Sequence, residues 1–318
     1  MDTKSYMRKR YSEFYEKKKI IPPKDFQKRE FGAGWERKIQ QRHLSFKNEL
    51  ELKNYLVSNV PFYFSYSSAC YEFPGATSME KKNFLGFDLV FEFDQDCEHG
   101  KPICSECLNK AKEKAINLVE NFLIPDFGIS EKDISYVFSG NRGYHIYVQN
   151  EEVFHLSKDS KKQIVDYLCG NLDVSFMSKK IKKGNFLPFG WYGKILKEFH
   201  DLRKLTKSKI SKILEKYKND IDVTFTIDQS KLIRMPSTIH GTSSLLCVFV
   251  RKIESFDPLK HAVAFYNYPI KVKILENIPE FELNEQPFGP FIKDSIVSVP
   301  EYCAMLLFGN KKAEFISD

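Results

Sequence analysis

FDLVFEFDQDCEHGKPICSEC, residues 87–107, decides how the rest of this chain is read. Successive side chains on a strand point to opposite faces, so the stretch places Asp88, Glu92, Asp94 and Asp96 on one face. Leu89, Phe91 and Phe93 take the other, and Val90 is the one apolar residue on the acidic side. Carboxylates two residues apart lie about 7 Å apart at Cα. Their side chains can converge on two cations roughly 3.5–4 Å apart, the spacing of two-metal phosphoryl transfer. A row of strand carboxylates is also what a solvated sheet face looks like. Here, however, the strand runs straight into Cys97-x-His99-x4-Cys104-x2-Cys107.

That knot has zinc-ligand spacing. Zinc prefers four thiolate or imidazole ligands in a tetrahedron, and a C-x2-C pair on a tight turn supplies two of them. Cys97, His99, Cys104 and Cys107 fill the shell, so the zinc is expected to be structural, with no open position for water. Pro102 and the C-x2-C pair echo the second half of a zinc deaminase, but that chemistry needs an upstream H-x-E with a free glutamate. Glu98 lies between two ligands and no H-x-E precedes Cys104, which excludes the deaminase.

With 318 residues, 42% hydrophobic and 14% aromatic, the chain can bury a large core and is not disordered. No run approaches the ~18 apolar residues of a membrane span, so no membrane partner is expected. The opening MDTKSYMRKRYSEFYEKKK has no apolar core of a secretion signal. Seven cysteines, an odd number with three in the knot, fit a reducing compartment better than a disulfide framework. Cys70, Cys169, Cys247 and Cys303 are scattered and read as ordinary core residues. The net charge of +7 suits a polyanionic partner without establishing one.

Residues 4–19 read as a basic amphipathic helix whose Tyr6, Tyr11, Phe14 and Tyr15 pack on the body, and 48–59 as a second helix stopped before Pro61. FYFSYSSACYE (62–72) alternates as a strand does, and 86–96 is the acidic strand. A helix follows over roughly 104–123. Short strands at 133–138 and 144–149 flank SGNRG. From about 153 to 222 the chain turns to lysine-rich helical segments, read as an insertion on a single domain spanning 1–318. Strands return near 224–228, 232–235 and 245–251. Strands with helices on one side indicate an α+β architecture.

Two further segments carry chemistry. In SGNRGYH, Gly140 and Gly143 let the backbone approach a ligand, and successive N–H groups form an anion-binding concavity. Arg142 adds a planar donor fork matched to phosphate, and His145 a donor or proton source. In DQSKLIRMPSTIHG, Asp228 closes the alternating stretch VTFTID as a third carboxylate, while Arg234 and His240 supply a cation and a donor. Taken alone, each is also what an ordinary turn looks like. Together, carboxylates for divalent metals with Arg142, Arg234, His145 and His240 around a triphosphate make the inventory of nucleotidyl transfer.

Five segments, in order, resemble the small catalytic subunit of archaeal and eukaryotic DNA primase: REFGAGWERKIQQRHLSF (29–46), LGFDLVFEFD (85–94), the cysteine knot, SGNRGYH and IDQSKLIRMPSTIHG (227–241). The resemblance covers most of the chain, the helical insertion least. It implies the primase α+β fold, with a mixed β-sheet core, a peripheral zinc knuckle at 97–107 and a helical subdomain. It implies a DNA-directed nucleotidyltransferase that makes short RNA or DNA primers on single-stranded DNA from nucleoside triphosphates. Two Mg²⁺ or Mn²⁺ ions, a structural Zn²⁺ and a large regulatory subunit come with it. The family's Asp-x-Asp falls on Glu92 and Asp94, and its third metal ligand on Asp228. Its triphosphate contacts fall on Ser139, Arg142, His145, Arg234 and His240, and its nucleotide-approaching arginine on Arg42. The departure is Glu92 in place of Asp, which leaves Asp96 as the alternative partner of Asp94. A short chain without an extended tail fits an archaeal, cytoplasmic source rather than a nuclear one. The alternative is a non-catalytic zinc-containing nucleic-acid-binding protein whose acidic strand is merely solvated.

Overall fold

The computed structural model describes residues 1–199 and 201–317. Two four-stranded sheets carry the centre of the fold. In the first the order is Gln41–Leu44, Phe31–Gly34, Tyr63–Ser67, Leu232–Arg234; in the second it is Val248–Val250, Ile134–Phe138, Gly143–Val148, Leu89–Asp94. All pairings between strands are antiparallel among the described residues, so the sheets are not mixed as the resemblance implied. Short connections such as the turn after Phe138 join antiparallel neighbours, whereas parallel ones need a long crossover. A three-stranded sheet (Pro269–Ile274, Ile296–Pro300, Ala313–Phe315) lies towards the C-terminus around the helix Glu301–Gly309, buried from Glu301 to Phe308.

Helices close the sheets over one continuous apolar core reaching from Tyr6 to Ala313. The first, Thr3–Lys17, is capped by Asp2, whose carboxylate accepts from the Ser5 N–H at 2.8 Å. It buries Tyr6, Tyr11, Phe14 and Tyr15 against the body as expected. Ser105–Leu118 follows the cysteine knot and buries Leu108, Ala111, Ala115 and Leu118, spaced for one helical face. Residues 151–217 carry the helices Glu151–Phe154, Lys158–Leu168, Val174–Lys182, Gly190–Glu198 and Lys207–Tyr217. Trp191 seats this region on Phe122, ring centres 5.4 Å apart. No helix is long and apolar enough to cross a membrane among the described residues.

Three expectations need correction. VTFTID is not a strand: Val223–Ile227 is a short helix, capped by Asp222 accepting from the Phe225 N–H at 3.0 Å. Its β-branched residues favour strand, but the cap and the burial of Phe225 and Thr226 outweigh that preference. The 62–72 stretch breaks at Ser68 into Tyr63–Ser67 and Ala69–Tyr71, which lie in different sheets. The acidic stretch likewise breaks at Asp88, between Phe84–Phe87 and Leu89–Asp94.

Candidate active site

Because of that break, Asp88 does not join the acidic face. It is 4% exposed and accepts from Arg29 Nη2 at 2.7 Å, a buried ion pair with a residue just ahead of the strand Phe31–Gly34. Asp96 lies two residues past the strand's end, its side chain 84% exposed, and pairs with Arg142 Nη1. Glu92 and Asp94 remain on the strand, opposite His145 and Gly143 of the neighbouring strand. His145 Nε2 stands 3.4 Å from Glu92 Oε1, and Arg142 Nη2 stands 3.2 Å from Asp94 Oδ2. Burial opposes ionisation of Glu92, but the contact and charge of His145, with Lys231 and Lys38, outweigh it and hold the carboxyl below its usual range. Asp94 goes the other way: burial, then the adjacent Glu92 charge, hold it above the ordinary aspartate value.

The turn Ser139–Gly143 needs both of its glycines. Gly140 has φ +84°, a region side chains rarely adopt, and a Cβ there would stand 3.0 Å from His240 Cβ. A Cβ on Gly143 would lie 1.8 Å from the Phe93 carbonyl oxygen, so only glycine lets this strand meet the acidic one. The Ser139 hydroxyl accepts from the Gly143 N–H at 3.3 Å. His145 Nδ1 is buried with no hydrogen-bond partner among the described residues.

Asp228 caps the C-terminal end of its short helix, its Oδ1 accepting from the Ser230 N–H at 2.8 Å and hydroxyl at 2.7 Å. Arg234 pairs in register with Ser65 at the edge of the first sheet. It is 8% exposed, its guanidinium 5.1 Å from the Tyr63 ring centre and 3.5 Å from the Phe64 carbonyl, with Nε unpartnered. Burial pulls its pKa down, and no carboxylate pairs with it among the described residues. A buried cation left this way is a strong anion site. His240 is held well below its usual pKa by burial and by Arg234, Lys38, Arg142 and His145, so its imidazole is neutral at pH 7. Nδ1 accepts from the Thr242 N–H at 3.2 Å, which assigns the proton to Nε2 as a donor. Arg42 is held by Glu30, Nε to Oε1 2.9 Å and Nη2 to Oε2 3.2 Å, and donates to the Ser230 carbonyl at 2.9 Å. It thereby ties the first sheet to the Asp228 turn.

All ten candidate metal and nucleotide residues line one cleft of about 1130 Å³ between the two sheets. Lys38, Lys231 and Tyr63, which no sequence motif singles out, line it as well. Lys231 stands three residues after Asp228, and Lys38 lies within the 29–46 segment, where no spacing of its own marks it. Hard oxygen donors on Glu92, Asp94 and Asp228 suit Mg²⁺ or Mn²⁺. The surrounding cations and donors suit a triphosphate.

Cys97, His99, Cys104 and Cys107 meet as expected, with ligand atoms all within 4.8 Å of one another. His99 Nδ1 stands 3.6, 3.3 and 4.0 Å from the sulfurs of Cys97, Cys104 and Cys107. No second group of three or more such side chains converges this tightly among the described residues. Although burial opposes it, hydrogen bonds from the Cys107 N–H and from the other members of the knot lower the Cys104 thiol to about 7. A thiol so placed is readily available as thiolate, the form that binds zinc. Cys97, Cys104 and Cys107 also form part of the cleft's wall, so the knot adjoins the acidic strand it follows.

A family model described as DNA primase small subunit matches residues 87–251, from the acidic strand to the late histidine and just beyond. The DNA primase small subunit of Thermoplasma volcanium is 33% identical over 96% of this chain and 96% of its own. That of Archaeoglobus fulgidus is 33% identical over the whole of both chains, and that of Methanocaldococcus jannaschii 32% identical over 98% of this chain and 97% of its own. The chain belongs to the DNA primase small-subunit family.

Proposed function

We propose that this cleft performs the nucleotidyl transfer of primer synthesis, with Glu92, Asp94 and Asp228 holding two Mg²⁺ or Mn²⁺ ions. The observation that carries this reading is that those carboxylates line one cleft together with Arg142, Arg234, His145 and His240. Bound there, the ions would lower the pKa of the attacking 3′-hydroxyl and neutralise the departing pyrophosphate. The chain's own residues do the rest. Arg234, buried and without a carboxylate, binds the triphosphate, and His240 donates to it through Nε2. Arg142 exchanges its present partners, Asp94 and Asp96, for phosphate oxygens when nucleotide enters. His145, 3.4 Å from Oε1, orients Glu92. Arg42 acts through Glu30 and the Ser230 carbonyl, positioning the turn that bears Asp228.

The architecture supports reading the two sheets as the primase fold, in one catalytic domain over 1–318, with the knot at 97–107 a structural zinc knuckle and residues 153–222 a helical insertion. A single-stranded DNA template, nucleoside triphosphates and a large regulatory subunit complete the assembly, in an archaeal cytoplasm. A non-catalytic nucleic-acid binder would retain template indifferently to divalent cations and nucleotides. Incorporation of labelled nucleotide on a single-stranded template, with and without Mn²⁺, tests the proposal: cation-dependent product supports it, and its absence sinks it.

A further inference from the structure

The stretch VSFMSKKIKKGNFLPFGWYGKILK, Val174 to Lys197, contains six lysines and no acidic residue. Its first helix, Val174–Lys182, buries Met177, Ser178 and Ile181. The other side presents Phe176, Lys179, Lys180 and Lys183, spaced i, i+3, i+4 and i+7. Lys179, Lys182 and Lys183 are exposed. None of them is paired with a carboxylate among the described residues. Lys180 lies 5.4 Å from the Phe176 ring centre, and Lys207 reaches the start of the helix, donating to the Ser175 hydroxyl at 2.9 Å. Three large apolar side chains stay in water here: Phe176 at 55% exposure, Leu187 at 63% and Phe189 at 61%.

Lysines in the last turn of a helix are accounted for by its dipole. That does not account for two phenyl rings left in solvent, nor for the absence of acidic residues from a 24-residue stretch. We infer that this exposed stretch is a contact surface for single-stranded nucleic acid, separate from the cleft, with lysines on the phosphates and Phe176 and Phe189 under the bases. Rings beside ammonium groups match a strand that offers unstacked base faces next to a charged backbone. A duplex hides those base faces, so it would use only the lysines. The inference rests on the proposed function in one respect, that the template is single-stranded.

Fluorescence anisotropy of labelled oligothymidine across a NaCl series tests it on the full chain. Replacing Lys179, Lys182 and Lys183 together by Ala should reduce the slope of log affinity against log salt by about two, at ~0.7 per phosphate contact. Phe176→Ala with Phe189→Ala should weaken binding at least about fivefold, with the slope unchanged. All five side chains are exposed, so folding should survive, and circular dichroism melts verify that. The Michaelis constant for nucleotide, measured at saturating template, should not move in either variant. Wild-type affinity and slope in both variants overturn the inference. The comparison does not depend on activity: a wild type that binds oligothymidine but incorporates nothing fails the proposed reaction, and the slopes still decide this surface.

Discussion

Glu92 and His145 face each other in register on neighbouring antiparallel strands, with Nε2 3.4 Å from Oε1. The pair keeps Glu92 ionised and leaves Asp94, two residues on, to carry the raised pKa. Glu92 is therefore the carboxylate the site holds charged, while Asp96 pairs with Arg142 in an exposed contact, of a type that contributes little. Glu92→Gln and Asp94→Asn should each lower single-nucleotide incorporation by about a thousandfold, and Asp96→Asn by no more than about tenfold. The reverse ranking of Glu92 and Asp96 would move the metal pair to Asp94 and Asp96.

The same asymmetry has a stability signature. A carboxyl whose folded pKa lies above its ordinary 3.8 binds its proton more tightly folded than unfolded. Its contribution is therefore favourable in acid and is lost as pH rises through the folded value. Without divalent cation, Asp94→Asn should raise the melting temperature at neutral pH, and the gain should fade on acidification below the aspartate range. Calorimetry without added divalent cation across about pH 3–7, the range of carboxyl titration, checks this; a variant that melts lower at neutral pH contradicts it.

Arg234 exchanges stability for binding. A guanidinium 8% exposed, with Nε unpartnered, carries a desolvation cost that only an anion relieves. Arg234→Met should melt higher than wild type without nucleotide, yet bind triphosphate about 30-fold more weakly or worse, a loss of about 2 kcal/mol. Thermal shift with added nucleotide reads both effects. Stabilisation of the variant by nucleotide equal to that of wild type would remove Arg234 from the phosphate site.

The parts legible in sequence are those decided by short-range pattern. The 3.6-residue spacing of Leu108, Ala111, Ala115 and Leu118 marks their helix, and the glycines of SGNRG mark the turn. Long-range partners decided the rest. Asp88 is in phase with Glu92 and Asp94, yet Arg29, 59 residues earlier, takes it out of the site. VTFTID alternates like a strand, yet the Asp222 cap and packing on the acidic strand make it a helix that still delivers Asp228 to the cleft. Arg42 was legible through the family resemblance, whereas its bidentate hold on Glu30 needed the structure.

The knot predicts its own failure mode. Cys104 begins the turn into the helix Ser105–Leu118, which packs against the acidic strand, so the ligands and the cleft share a wall. Structural zinc sites in peptides bind with apparent free energies on the order of 10 kcal/mol. Elemental analysis should find about one zinc per chain. Chelation or Cys104→Ser should lower the melting temperature, with incorporation falling in step. Metal-free protein with an unchanged melting temperature would show that the four ligands do not carry the fold.

Lys161 gives the clearest pH dependence. Its ammonium is fully buried in the helix Lys158–Leu168, donating to the carbonyls of Phe87 at 2.5 Å and Phe154 at 3.3 Å, 3.2 Å from the centre of the Phe87 ring. Burial lowers its pKa from 10.5 to about 7, against the opposing attraction of Asp88. Below pH 7 the group is charged in both states, and the folded protein bears the full desolvation cost. From about 7 to 10.5 the unfolded chain holds the extra proton, so stability rises with pH across that window. Above it the amine is neutral in both states and the cost is gone. Lys161→Met removes the charge at every pH while losing the same two carbonyl contacts throughout. Relative to wild type the variant should therefore gain most below pH 7, with the difference shrinking steadily towards 10.5. Denaturant titrations of both proteins at several pH values measure that difference directly. A gap that stays constant across the window would mean that Lys161 keeps an ordinary pKa in the folded protein, and that its carbonyl contacts outweigh its burial.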